Sequence, residues 1–267
     1  MTSSVSAAAP ASARGTTSAA ATQPQLRAVL ELAQNAVDKM PPSPQLKLAM
    51  ASSGTIFSAF TVAHMLGNLQ VYLGQQKFDD YAHFLRTVGA PVLPRGTVLW
   101  FFRVGLLAST ATHLSCAAAL TVRAQQSASR PRAQKRTQPR GRRRTAWEVA
   151  KRSMRSTGTV LGLFAAHHLA DLTLGVRPAA AQHTPGAAYR NLVTSLQRPS
   201  VAALYLAAMV ALAAHTAQGI TQVGNDTGLS ADRRTRQVLE LAGRLVGTGV
   251  ALGNASIPVA IQLRLVR

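Results

Sequence analysis

The run Thr97-Val-Leu-Trp-Phe-Phe-Arg103-Val-Gly-Leu-Leu-Ala-Ser-Thr-Ala-Thr-His113-Leu-Ser-Cys116-Ala-Ala-Ala-Leu-Thr-Val122 carries one charged side chain, Arg103, and one histidine, His113. A helix crossing the roughly 30 Å hydrocarbon layer of a bilayer takes about 20 predominantly apolar residues, and this run supplies them. Four other windows read the same way: about Leu46 to Val71, Ser153 to Leu174, Ser200 to Val223 and Leu241 to Leu263. All five are rich in Ala and Gly, whose small side chains let helices pack closely where lipid gives no hydrophobic drive to associate. The expected fold is therefore all-α, a five-helix transmembrane bundle over residues 46–267. No internal repeat stands out.

Composition agrees with that reading. Of the 267 residues 47% are hydrophobic and only 14% charged, well below the charge of a soluble domain. The net charge of +20 raises nucleic acid as a partner, but the cations cluster in connectors between the apolar runs. Only Trp147 is interleaved with the arginines there, so base stacking is not provided for and no nucleic-acid role is expected. One cysteine, Cys116, excludes a disulfide framework and any iron–sulfur cluster built from this chain alone.

Connector charge sets the expected orientation. From Arg123 to Arg152 the chain has eleven Lys and Arg, including Arg142, Arg143 and Arg144, with Glu148 the only acid. The positive-inside rule makes that loop cytoplasmic, which puts the N-terminus inside, the C-terminus outside and the Arg233, Arg234, Arg236 cluster inside. The loop is read as a topology signal, with anionic lipid or an acidic soluble partner as alternatives. Residues 1–45 form a peripheral N-terminal segment, and 1–24 have too few large apolar side chains to offset the entropy of ordering them. No secretory h-region is visible, and the single Arg of the tail argues against an Arg-rich transit peptide.

Five of seven histidines, His64, His113, His167, His168 and His215, fall inside the apolar windows, where ionisable residues are costly and functional by default. Each of the first four spans carries its histidine in its C-terminal half. Successive spans run in opposite directions, so spans one and three place theirs toward the outer face and spans two and four toward the cytoplasm. The result is two pairs, in layers roughly 10 to 15 Å apart at 1.5 Å rise per residue. Two flat macrocycles, each gripped by imidazoles from two helices, fit that arrangement, and bis-imidazole ligation suits electron transfer because it leaves no open position on iron. The fifth span has no histidine and is expected to support the bundle. His83 and His183 lie in outer loops, where solvation is expected.

Four local patterns carry a family resemblance over about Leu46 to the C-terminus. They are Gly54 leading to His64-Met-Leu-Gly67-Asn68-Leu, followed by Phe78-Asp-Asp-Tyr81-Ala-His-Phe-Leu-Arg86; Leu99-Trp-Phe-Phe-Arg103 leading to His113; Arg155-Ser-Thr-Gly158 leading to His168-Leu-Ala-Asp171-Leu; and Tyr205 leading to His215 and Gly219. In order and placement they resemble the membrane-anchor cytochrome b subunit of succinate dehydrogenase and fumarate reductase, in the single-chain, five-helix, two-haem form, closest to the actinobacterial and related bacterial branch. The resemblance implies two b haems: His64 with His168 for the one distal to the catalytic subunits, and His113 with His215 for the proximal one. His168 is preferred to His167 because it occupies the family's His-x-x-acid position, which leaves His167 to pack in the bundle.

The same resemblance implies a flavoprotein and an iron–sulfur subunit as partners, a membrane quinone, by analogy menaquinone, as electron acceptor, and the cytoplasmic membrane as location. Arg155 and Arg103 are candidate propionate partners for the proximal and distal haem. Asp171 is a candidate quinone ligand, proton relay or orienter of a haem ligand. A bc-type cytochrome b is disfavoured because that design puts two ligands on each of two helices. The alternative is a non-haem anchor or transporter-like protein with structural histidines.

Overall fold

A computed structural model describes residues 28, 31–32, 34–129 and 153–267 of the chain. The tail 1–24 and most of the basic loop, including Arg142, Arg143 and Arg144, lie outside these residues. The described residues are helical throughout their regular elements. Helix α1 (Ser43–Asn68) starts behind Pro41 and Pro42, with proline in its first turn, where a missing N–H costs nothing. It tightens into a 3₁₀ turn, Leu69–Leu73, and stops at Gly74, whose φ of 90° a side chain would resist. A short helix α2 (Gln75–Thr87) leads to α3 (Thr97–Ser129). Helix α4 (Met154–His168) widens into a π turn, Leu169–Leu174, ended by Gly175 in the left-handed region. Then come α5 (Ala188–Leu196), α6 (Pro199–Asp226) and α7 (Arg233–Gln262).

Four of these helical stretches are long and apolar enough to cross a membrane: Ser43–Leu73, Thr97–Ser127, Pro199–Asp226 and Arg233–Gln262. The stretch expected as the third span, 153–174, does fold as one rod, with 15 residues in α4 and 6 in the π turn. It is not among the four because it is shorter and holds Arg155, His167, His168 and Asp171 within that length.

Helix α3 packs along α1, α1 and α4 both pack on α6, and α7 lies against α6 and α1. Four histidine-bearing helices thus surround a common interior, with α7 outside them. Large apolar side chains such as Phe101 on α3, Leu163 on α4, Val210 on α6 and Leu252 on α7 point outward, as lipid-facing residues do. The closest helix pair is α6 with α7. A Cβ at Gly243 would stand 2.5 Å from the Ala217 carbonyl oxygen, and one at Gly247 2.6 Å from that of Ala213. The two glycines form a Gly-x-x-x-Gly face that lets the backbones meet. At the start of α7 the Asp232 side chain accepts a hydrogen bond of 2.8 Å from the Thr235 N–H; the Thr235 hydroxyl first, and then this N–H, hold its carboxyl below the usual carboxylate range.

Arg123, at the far end of α3, donates to the carbonyls of Val37, Met40 and Pro41 at 2.8 to 3.1 Å and ties the N-terminal segment to the bundle. At the opposite end α2 and α5 close over the helices. Asp79 of α2 accepts from the Tyr189 N–H at 2.9 Å, Phe78 packs on Tyr189, and Gln262 of α7 donates to Leu196 O at 2.7 Å.

Replacing Gly243 with Val forces α6 and α7 apart. It should lower stability by about 1 to 3 kcal/mol, the usual range for overpacking. Thermal unfolding of the purified chain in detergent measures this; an unchanged midpoint would show that the two helices do not depend on that contact.

Candidate functional site

The histidines are placed by helix register. His113 of α3 and His215 of α6 face each other with ring centres 6.4 Å apart, and His64 of α1 and His168 of α4 with ring centres 5.9 Å apart. The pairs expected from span direction are therefore the pairs brought together. His113 meets α1 at Ser53, eleven residues before His64 in the numbering, so the two pairs lie roughly 15 Å apart along the bundle.

The polar partners of these rings did not stand out in the sequence. Ser53 Oγ lies 3.0 Å from His113 Nδ1, and Thr157 Oγ1 lies 3.2 Å from His215 Nδ1. Each hydroxyl also donates back to a carbonyl of its own helix, Ser53 to Ala49 O at 2.9 Å and Thr157 to Ser153 O at 2.8 Å. A hydroxyl has one proton, so with that proton on the carbonyl it accepts from the imidazole. Nδ1 then carries the ring hydrogen, and the lone pair is on Nε2. His168 Nδ1 shares a 3.0 Å hydrogen bond with the Tyr205 hydroxyl, while His64 stacks on Phe60 with ring centres 5.2 Å apart.

Glycines stand beside both hydroxyls. A Cβ on Gly54 would meet His113 Cε1 at 3.5 Å, and one on Gly158 would meet His215 Cε1 at 3.2 Å. With the two pairs aligned, a repeat becomes visible that the sequence reading missed. Met50, Ser53, Gly54, Thr55, Phe60 and His64 of α1 recur in the same order and spacing as Met154, Thr157, Gly158, Thr159, Phe164 and His168 of α4. Each copy uses its hydroxyl and glycine to hold a histidine from the following long helix, and presents its own histidine to the other copy. The signal that would have found Ser53 and Thr157 was this register.

Asp171 is buried, 3% exposed, in the π turn after His168. Ser195 donates to its Oδ2, and Arg198 reaches its two oxygens at 3.2 and 3.3 Å. His167 Nε2 is 4.0 Å from Oδ2 and has no hydrogen-bond partner among the described residues. Asp171 thus joins the end of α4 to α5 and to the residue that starts α6. Arg198 and Ser195 lie at or outside the edge of the apolar windows and were not expected here. The expected arginines sit elsewhere. Arg103 is exposed, its guanidinium carbon 5.0 Å from the centre of the Trp100 ring, and Arg155 is exposed in the first turn of α4. His83 is exposed on α2, whereas His183, expected to be solvated, folds over Gly175. Among the described residues no three His, Cys, Asp or Glu side chains converge as a metal cage.

The class defined by this geometry is a multi-pass helical membrane protein with paired imidazoles in its interior. Residues 130–251 match the family model described as succinate dehydrogenase/fumarate reductase transmembrane subunit. Neither a curated protein nor a solved structure matches the chain.

Replacing Arg198 with Leu leaves a buried carboxylate without its cation and should cost about 3 kcal/mol, as breaking buried pairs does. The double variant Asp171→Leu with Arg198→Leu should recover most of that loss. Chemical unfolding of the two variants decides it: equal losses would mean that the pair does not act as a unit.

Proposed function

We propose that the chain is the electron-carrying membrane anchor of a succinate:quinone oxidoreductase, holding one b haem between His64 and His168 and a second between His113 and His215. The observation that carries this reading is the spacing of the rings. With metal–nitrogen bonds of about 2 Å and each ring centre about 1 Å behind its nitrogen, imidazoles on opposite sides of one iron have centres about 6 Å apart. The two pairs stand at 5.9 and 6.4 Å. The hydroxyls on Nδ1 of His113 and His215 leave Nε2 as the ligating atom, the usual arrangement of metal-bound histidine. Two facing imidazoles, with no third His, Cys, Asp or Glu converging on them among the described residues, fit a group that brings further metal donors of its own. Such a group, when bound, would supply one-electron chemistry between the two rings.

The chain's own residues orient the imidazoles, exclude water and set the spacing of the two sites. In this reading the Met154–Leu174 rod adds the third of five membrane crossings to the four long apolar helices, the N-terminus is cytoplasmic and the C-terminus outside. The His113/His215 site then lies nearer the cytoplasm, where the iron–sulfur subunit, itself fed by the flavoprotein, delivers electrons. The His64/His168 site lies nearer the outer face and a quinone, by family analogy menaquinone. Arg155 and Arg103, both on exposed helix faces, are the cations we assign to the haem carboxylates at the bundle edge. Asp171, held by Arg198, is the acid nearest the outer site. Its bonds favour orienting the His168 segment over free proton exchange.

The test is a dithionite-reduced minus oxidised spectrum with pyridine haemochrome quantitation on the purified chain. Two b haems per chain are expected. His64→Ala and His168→Ala should remove the same one, and His113→Ala and His215→Ala the other. One haem or none in the wild-type chain, or mutants that group differently, would refute the paired-site reading and favour a non-haem anchor.

A further inference from the structure

We infer that the side-chain amide of Gln218 donates a hydrogen bond to a carboxylate of the haem held between His113 and His215; this rests on the haem reading above. Gln218 is 5% exposed, yet its Nε2 is buried with no hydrogen-bond partner among the described residues. Leaving a donor unpaired away from water is costly, and hydrocarbon offers no water to relieve it. The neighbouring carbonyl Ala217 O already accepts from the Thr221 hydroxyl at 3.1 Å. The aspartate further along α6, Asp226, is taken up by Gln222 Nε2 at 2.8 Å and by Lys47 at 3.9 Å. An acceptor beyond the described residues is what this amide lacks.

Position says which acceptor. Gln218 is three residues after His215, on the same side of α6, and helical side chains lean back toward the N-terminus, so its amide is carried toward the turn that holds His215. Beyond it the same face of α6 continues as Thr221 and Asn225. These two, with Ser230 and with Arg236 and Glu240 of α7, line a cavity of about 420 Å³ at the α6–α7 turn. A polar stripe therefore runs from the imidazole pair toward the end of the bundle. A haem is apolar over most of its area but carries two carboxylates, which must leave the apolar centre along a line of donors. Gln218 is the first donor on that line, a neutral one that stabilises the carboxylate without adding charge beside the iron.

The experiment is an optical redox titration of the purified haem-loaded chain and of Gln218→Met, which keeps the volume and deletes the donor. With the donor gone, the carboxylate's negative charge is less offset and favours ferric iron. The haem that disappears in His215→Ala should therefore shift to a lower midpoint potential, while the other haem stays put. If both potentials match wild type, the inference is overturned. If Gln218→Met cannot retain this haem, the wild-type chain reconstituted with haem dimethyl ester takes its place, since the ester removes the carboxylate instead of the donor. Selective loss or a selective potential change at the same site supports the inference, and normal behaviour overturns it. A wild-type chain that binds no haem refutes the haem reading and this assignment together, which separates that result from a failure of Gln218 alone.

Discussion

An imidazole in a low-dielectric interior must have both ring nitrogens accounted for, and the packing of this bundle follows from how that is done. Ser53 and Thr157 can accept from Nδ1 only because their own protons are spent on carbonyls one turn back. The hydroxyl can reach the ring only where the helices come close, and Gly54 and Gly158 make room at that point. Moving α1 against α3 by one residue would turn Ser53 away by about 100°, at 3.6 residues per turn, and leave both the hydroxyl and His113 without their bond. The hydrogen bond therefore fixes register as well as tautomer, and the same argument holds for α4 against α6.

The repeat shared by α1 and α4 explains why two sites arise from one design, and its departures show where the halves diverge. Where α1 has Ala51, Ala63 and Gly67, α4 has Arg155, His167 and Asp171. The added polar residues fall mainly at the end of α4, where the helix widens into the π turn and Asp171 is buried against Ser195 and Arg198. An ion pair so placed ties α4, α5 and α6 together at one end only. The opposite half meets its surroundings through Gly67, which lets Tyr81 of α2 lie directly on α1.

How much of this was legible in the sequence depended on whether the signal was local. Four spans declare themselves because length and hydropathy are summed over adjacent residues. The rod at 153–174 is less plain, since the polar residues that build its site are the ones that lower its hydropathy. The histidine pairing followed from alternating span direction, a topological argument that needs no contact. Ser53 and Thr157 were not legible, because a serine or threonine in a membrane helix usually bonds only its own backbone and looks the same when it also meets a ring. Arg198 was missed because it sits just before a span, where a cation reads as an interfacial anchor.

The two imidazole pairs share a cassette but not an environment. Near His168 the closest charges are Asp171 and Arg198, an ion pair whose net field is small, beneath a roof made by α2 and α5. Near His215 the bundle offers Thr157 and Gln218, and then a polar stripe leading to Arg236. A charge added at the second site is thus met by donors that reach toward the end of the bundle, whereas one added at the first is enclosed by packed side chains. Under the haem reading proposed above, two chemically equal pairs would acquire different electron affinities from these surroundings.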